Sequence, residues 1–194
     1  MTVMRDKVVK ALVELDVKGD ENGLMPGYNV LVNFLPTSFW TLFAERMINS
    51  APAEKKEQVR TGLYQCAQEC GYHTGWGIIN SDEFQSVVMP MVTEGAKDVL
   101  RGAFAVFTAW GWAKSGVVQI KDGERMVIRA QDYYEQDIKI PNEKMAFMVS
   151  AVSGAFFDLA YGSEYPNGLG TFKCDQTKGI EVGDDFGEFI VSKK

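Results

Sequence analysis

Residues 93–112 constrain the fold more than any other stretch of this chain. Val99, Leu100, Ala103, Phe104, Val106, Phe107 and Trp110 recur there at steps of three and four, over more than half of a helical circumference. A helix apolar on that much of its surface has to be covered from several sides, so it is central rather than superficial. A second helix of the same kind is read over residues 145–161, opened by Pro141 or Asn142 and ended at Gly162. Between them, residues 117–121 and 125–129 read as two strands joined through Asp122-Gly123, a dipeptide suited to the positive φ of a tight hairpin turn. Gly168 and Gly170 bound a return to extended chain, which predicts the last strands over 171–175 and 186–191.

The first part of the chain is helical in pattern. An amphipathic helix is expected over 3–15, stopped near Gly19-Asp20, and a second runs from Thr37 or Ser38 to Asn49 with Phe39, Leu42, Phe43 and Met47 on one stripe. Pro52 and Glu54 open a third helix reaching about Cys70. Asn80 followed by Glu83 resembles a capping box for a short fourth, limited by Pro90. Helices followed by strands that pair in hairpins predict an α+β fold. Its antiparallel sheet packs against two long apolar helices, with a helical extension over 1–50 and the main domain over 51–194.

Charge excludes some functions. With a net charge of −6 and a pI of about 4.9, the chain has no clustered Lys and Arg surface for tracking phosphates, so nucleic acid is not an expected partner. The N-terminal residues mix charged and apolar side chains at helical spacing, unlike a secretory leader, and three cysteines make no disulfide framework, so a cytoplasmic location is expected. Residues 22–44 carry no formal charge, but Pro26, Pro36, Asn29, Asn33, Thr37, Ser38 and Thr41 do not suit a membrane span. That segment is expected to be buried or covered in a homodimer, with contact to a membrane surface as the alternative.

The C-terminal run Gly183-Asp184-Asp185-Phe186-Gly187-Glu188-Phe189-Ile190-Val191 places a tight Gly-Asp turn ahead of an edge or closing strand. It resembles the C-terminal signature of 4-vinyl-reductase-like, or hydrocarbon-binding, domains. In those a cysteine precedes the turn by four residues and another follows it by four; here the two positions hold Gly179 and Gly187. The resemblance extends through Cys70-Gly71-Tyr72-His73, Ser81-Asp82-Glu83-Phe84, Gly111-Trp112 and Asp132-Tyr133-Tyr134-Glu135, covering residues 60–192. It implies a fold that encloses an apolar or ring-shaped ligand, and the loss of the paired thiols suspected of holding a metal. Related domains also include hydrolases of a small cyclic amino-acid derivative.

Three readings follow. Phe104, Phe107, Trp110 and Trp112 on one helix, Phe147 and Phe156 on the other, and Tyr134 are the candidate lining of a small-molecule cavity, with His73, Arg129 and Gln131 as further polar edges. In this first reading the domain binds and does not catalyse; no nicotinamide or flavin fingerprint is present and no cofactor is expected. In the second, Cys70 is the nucleophile of a thiol hydrolase and His73 its base. Cys66, Cys70 and His73, with Glu69 or a water as a fourth ligand, are also the weak candidates for zinc, which is not expected. In the third, the uncharged segment makes the chain a structural or regulatory dimerisation module. Asp132, Glu135 and Asp137 are read as a solvated loop.

Overall fold

A computed structural model describes residues 2–14, 18–32 and 35–194. The element order is α1 (Thr2–Val13), β1 (Met25–Gly27), β2 (Val30–Val32), α2 (Thr37–Ser50), α3 (Lys56–Ile79), α4 (Asp82–Val87), α5 (Ala96–Ala109), β3 (Ala113–Lys121), β4 (Arg125–Tyr133), α6 (Phe147–Tyr161), β5 (Phe172–Lys178) and β6 (Gly187–Lys193). β1 and β2 form a small antiparallel pair, and the other strands form one antiparallel sheet in the order β3-β4-β6-β5. The fold is α+β with helices on one face of the sheet, as the hairpin and helix patterns predict.

The Asp122-Gly123 turn closes the β3-β4 hairpin, with Gly123 at φ +64° and Lys121 facing Arg125. Val117, Met126, Ile128, Phe189 and Val191 point inward and bury against α5 and α6. On the opposite face Lys114, Val118, Arg129, Lys173 and Asp175 stay exposed, the alternation expected of a half-buried sheet. β6 lies inside the sheet between β4 and β5, not at its edge, and Gly187, Phe189 and Val191 face the core. The edges are β3 and β5, and at β5 α3 satisfies outward-facing backbone groups. The Cys174 N–H donates to the Tyr64 hydroxyl at 3.1 Å, and Gln68 Nε2 donates to the Phe172 carbonyl at 3.3 Å.

α3 does not stop near Cys70. It continues to Ile79, and the glycines that look like a stop are where α3 meets α6. A Cβ on Gly71 would lie 2.8 Å from Val152 Cγ2 and 3.1 Å from Val152 Cα, and one on Gly75 would lie 2.8 Å from Leu159 Cδ1. Close packing against α6 outweighs the roughly 1 kcal/mol that each glycine costs the helix.

α5 begins at Ala96 because the Asp98 carboxylate accepts the Thr93 and Glu94 N–H groups, each at 2.9 Å, and folds that segment into a cap. α4 is capped by Ser81 Oγ, which accepts the Phe84 N–H, rather than by Asn80. α6 starts at Phe147, and Glu135 is not in a solvated loop. Its carboxylate is fully buried and accepts the Met148 N–H at 2.7 Å and the Val149 N–H at 2.9 Å. It occupies the position where the orphan donors of a helix start are satisfied.

α1 packs Val8 and Leu12 into a cluster with Tyr28, Ile78, Phe84 and Val106. α2 packs Ala44 and Ile48 against Ile138 and Met145. The uncharged segment is not buried as a whole. Tyr28 is enclosed, while Leu24, Leu31, Leu35, Phe39, Trp40, Leu42 and Phe43 are exposed; residues 33 and 34 lie outside the described residues. Among the described residues no helix is long and apolar enough to cross a membrane.

Candidate ligand-binding site

Five of the seven aromatic residues singled out from sequence form one continuous run. Phe156 meets Phe104 edge-on at 5.6 Å between ring centroids and Phe107 at 6.3 Å; Phe107 stacks on Trp112 at 5.6 Å; Trp112 meets Tyr134 edge-on at 5.8 Å. Offset and edge-on contacts of this kind add stability beyond the area they bury. Phe104, Phe107 and Phe156 therefore fill the space between α5 and α6, where the sequence suggested an enclosed chamber. The other two go elsewhere. Trp110 packs edge-on against Tyr28 at 5.0 Å, and Phe147 lines a separate cleft beside Ile48 and Met145.

Free apolar volume lies one layer out, in a crevice of about 230 Å³ bounded by α3, α5 and α6. Gly75, Trp76, Ile78 and Ile79 come from α3, Val99, Leu100 and Ala103 from α5, and Phe156, Leu159 and Ala160 from α6. Small residues create the space. Ala103 and Ala160 leave room where larger neighbours would meet, and Gly75 brings α3 to within contact of Leu159. Trp76 is the sole lining side chain with a hydrogen-bonding group, its indole N–H.

Trp76 stands at the crevice wall with 41 % of its surface exposed, held from outside by Tyr165. The two rings stack at 4.5 Å and 2°, Tyr165 also stacks on Tyr72 at 5.5 Å, and its hydroxyl is 2.9 Å from His73 Nδ1. His73 is thus an anchor for the 162–170 loop, facing out from the middle of α3 rather than from its end. It does not bond Cys70, whose Sγ lies 3.8 Å from Thr74 Oγ1. Cys66 and Cys70 are both exposed, and among the described residues no three His, Cys, Asp or Glu side chains gather as a metal cluster. Arg129 pairs with Glu188 at 3.0 Å across the strands on the open face of the sheet, and Gln131 is exposed.

Gly179 and Gly187 sit in filled space. A Cβ on Gly187 would fall 2.7 Å from Tyr133 Cε1 and 2.9 Å from Phe189 Cε2, and one on Gly179 would meet the Gln176 and Glu181 side chains at 2.8 Å. Tyr133 ties this region together. Its hydroxyl donates to Glu181 and accepts the Ile180 N–H at 2.9 Å, while Glu181 also accepts the Met145 N–H at 2.9 Å and Gln176 Nε2 at 2.7 Å. Burial first, then Glu181, pushes the Tyr133 hydroxyl far above its ordinary value, so it stays a donor.

Sequence reasoning missed Trp76, Tyr165, Leu159 and the buried Glu135. The usable signal was Gly71 and Gly75, four apart in a helix-compatible run, which marks a face meeting another helix closely.

No family model and no curated protein matches the chain. Among solved structures, the whole chain superposes on 91% of the phenol-responsive sensory domain of the transcription activator PoxR, solved with phenol, at a TM-score of 0.69 and 11% identity. Trafficking protein particle complex subunit 3 from Naegleria fowleri, covalently bound to palmitic acid, matches 81% of the chain over 95% of its own length, with a TM-score of 0.50 and 15% identity. At such identities the likeness is one of fold.

Proposed function

We propose that the chain is a small-molecule binding domain that takes one largely apolar ring, or a short alkyl group, into the crevice between α3, α5 and α6. The observation that carries this is the crevice's chemistry: about 230 Å³ of space with a single hydrogen-bonding side chain, Trp76, in its lining. A dry apolar cavity of about 150 Å³ is enough for benzene in another protein. A ligand with more than one polar group would leave buried groups unpaired here. The shared fold with a phenol-responsive sensory domain and with a palmitate-bearing subunit supports the same reading. Binding without catalysis is proposed because Cys70 and His73 each have partners other than one another. In this reading residues 1–50 are a helical extension on a cytoplasmic ligand domain over 51–194.

The test is thermal unfolding with and without toluene. Ligand that binds only the folded chain raises the melting temperature, and Ala103→Phe, which fills the crevice, removes that rise. An unchanged melting temperature at saturating toluene overturns the proposal.

A second reading, a dimerisation module, has its own support. Phe39, Trp40, Leu42, Phe43 and Met47 leave one face of α2 apolar and exposed, and Phe39 touches both Trp40 and Phe43. Contiguous apolar surface of this kind marks an interaction site. A homodimer through α2 is compatible with ligand binding in the crevice.

A further inference from the structure

A larger cleft, of about 480 Å³, lies at the other end of the α3/α6 pair, between the end of α2, the first turns of α3, the start of α6 and the β5 edge. Its volume falls in the range of about 300–1,000 Å³ common to small-molecule sites. Ile48, Leu63, Met145 and Phe147 make apolar walls, but Arg60, Lys144 and Lys173 bring cationic groups to it from three different places. Nothing comparable exists in the apolar crevice.

The carboxylates at the cleft are already engaged. Glu57 pairs with Arg60 at 3.5 Å, and Asp175 with Lys173 at 2.8 Å. Lys144 Nζ donates to the Thr177 carbonyl at 3.3 Å and has no carboxylate partner among the described residues. One donor on this face of α3 is also uncommitted. Arg60 is not that donor, because its guanidinium pairs with both Glu57 and Glu143 and its Nε is buried. The Tyr64 hydroxyl, one helical turn on, accepts the Cys174 N–H but has no acceptor for its own proton among the described residues. Burial pushes Tyr64 up to about 12, so that proton is present at neutral pH. Ser150 adds a hydroxyl to the lining from α6.

We propose that this cleft is a second binding site, for a small amphipathic carboxylate whose apolar body lies on Ile48, Leu63 and Phe147 and whose carboxylate meets Tyr64 and Lys144. A carboxylate supplies two acceptor oxygens for these donors, and charge-assisted bonds are the stronger kind. A neutral ligand leaves Lys144 without a counter-charge. A cation has no free carboxylate to meet.

Calorimetric titration of the full chain with 4-phenylbutyrate, against 4-phenylbutan-1-ol, tests this. The acid is expected to bind at least tenfold more tightly than the alcohol, and Tyr64→Phe/Lys144→Gln to weaken it at least tenfold. Lys144→Gln alone, at an exposed lysine that leaves folding intact, is expected to weaken it at least threefold. Saturating toluene, the probe of the other crevice, leaves acid binding unchanged. Equal affinity for acid and alcohol, full binding in Lys144→Gln, competition by toluene, or no binding of the acid at 10 mM would each overturn the proposal.

Discussion

Replacing Gly71 by alanine, with the same change at Gly62 as its counterpart, tests how α3 and α6 are joined. Both glycines lie in α3, and in a helix alanine is favoured over glycine by about 0.8–1.0 kcal/mol. At Gly62 an added Cβ meets nothing within 4 Å, so the gain is realised and Gly62→Ala stabilises by about 0.5–1 kcal/mol. At Gly71 the Cβ falls 2.8 Å from Val152 Cγ2 and 3.1 Å from Val152 Cα. The second contact is with backbone and is not relieved by a rotamer change, so α6 as a whole must move away. Overpacking of this type costs about 1–3 kcal/mol, which leaves Gly71→Ala destabilised by up to about 2 kcal/mol after the helical gain is subtracted. In a chain of this length 1 kcal/mol shifts the melting temperature by about 2–4 °C. Urea unfolding followed by circular dichroism should therefore place Gly62→Ala above the parent and Gly71→Ala at or below it. Gly71→Ala stabilised as much as Gly62→Ala refutes the claim that these glycines are there for the helix contact.

Other expectations follow from the buried charges and the exposed face of α2. Burial pushes the Glu135 carboxyl up to about 8, against an ordinary value of 4.5. The folded state therefore favours its protonated form, and that contribution is complete below about pH 4.5 and lost as pH rises through 8. At about 1.4 kcal/mol per pH unit the loss reaches a few kcal/mol, and urea midpoints between pH 5 and 8 should fall more steeply in the parent than in Glu135→Gln; parallel curves sink this account. Burial works against the Asp98 carboxylate, but the Glu94 and Thr93 N–H groups and Arg101 outweigh it and hold it well below the usual range. Its contribution is present above about pH 4 and lost as pH falls, and Asp98→Asn should cost about 1.5–3 kcal/mol at pH 7, by unfolding in urea. Phe39→Glu/Phe43→Glu should leave monomer stability within about 0.5 kcal/mol, because both rings are exposed, while abolishing any dimer seen by light scattering. A dimer that survives places the interface elsewhere.

How much was legible depended on the range of the interaction. The β3-β4 hairpin, the two apolar helices and the aromatic run from Phe104 to Tyr134 were readable because period and turn chemistry are local properties. α3 was cut short because Gly71 and Gly75 are poor helix formers in isolation, and the compensating contact with Val152 and Leu159 comes from residues some 80 positions away. Glu135 looked like a surface carboxylate beside Asp132 and Asp137. Only the arrival of the α6 start, with two N–H groups aimed at it, makes its burial tolerable. For the candidate site, the aromatic residues chosen from sequence pack mainly against one another, with Phe156 also bordering the crevice and Phe147 the larger cleft. Rings at helical spacing show that a core is aromatic, not whether those rings fill it.

By itself the sequence determined the composition of the layers: which helices must be central, where the sheet turns on Asp122-Gly123, and that the chain carries a large apolar interior. Tertiary structure alone decided that β6 enters between β4 and β5, that Tyr133 takes the space beside Gly187, and that the cavities lie at opposite ends of the α3/α6 pair. The division has a physical cause. Backbone preferences and apolar periodicity are set by neighbours in the chain, whereas a cavity is a packing remainder, defined by the shapes of side chains that meet only after folding.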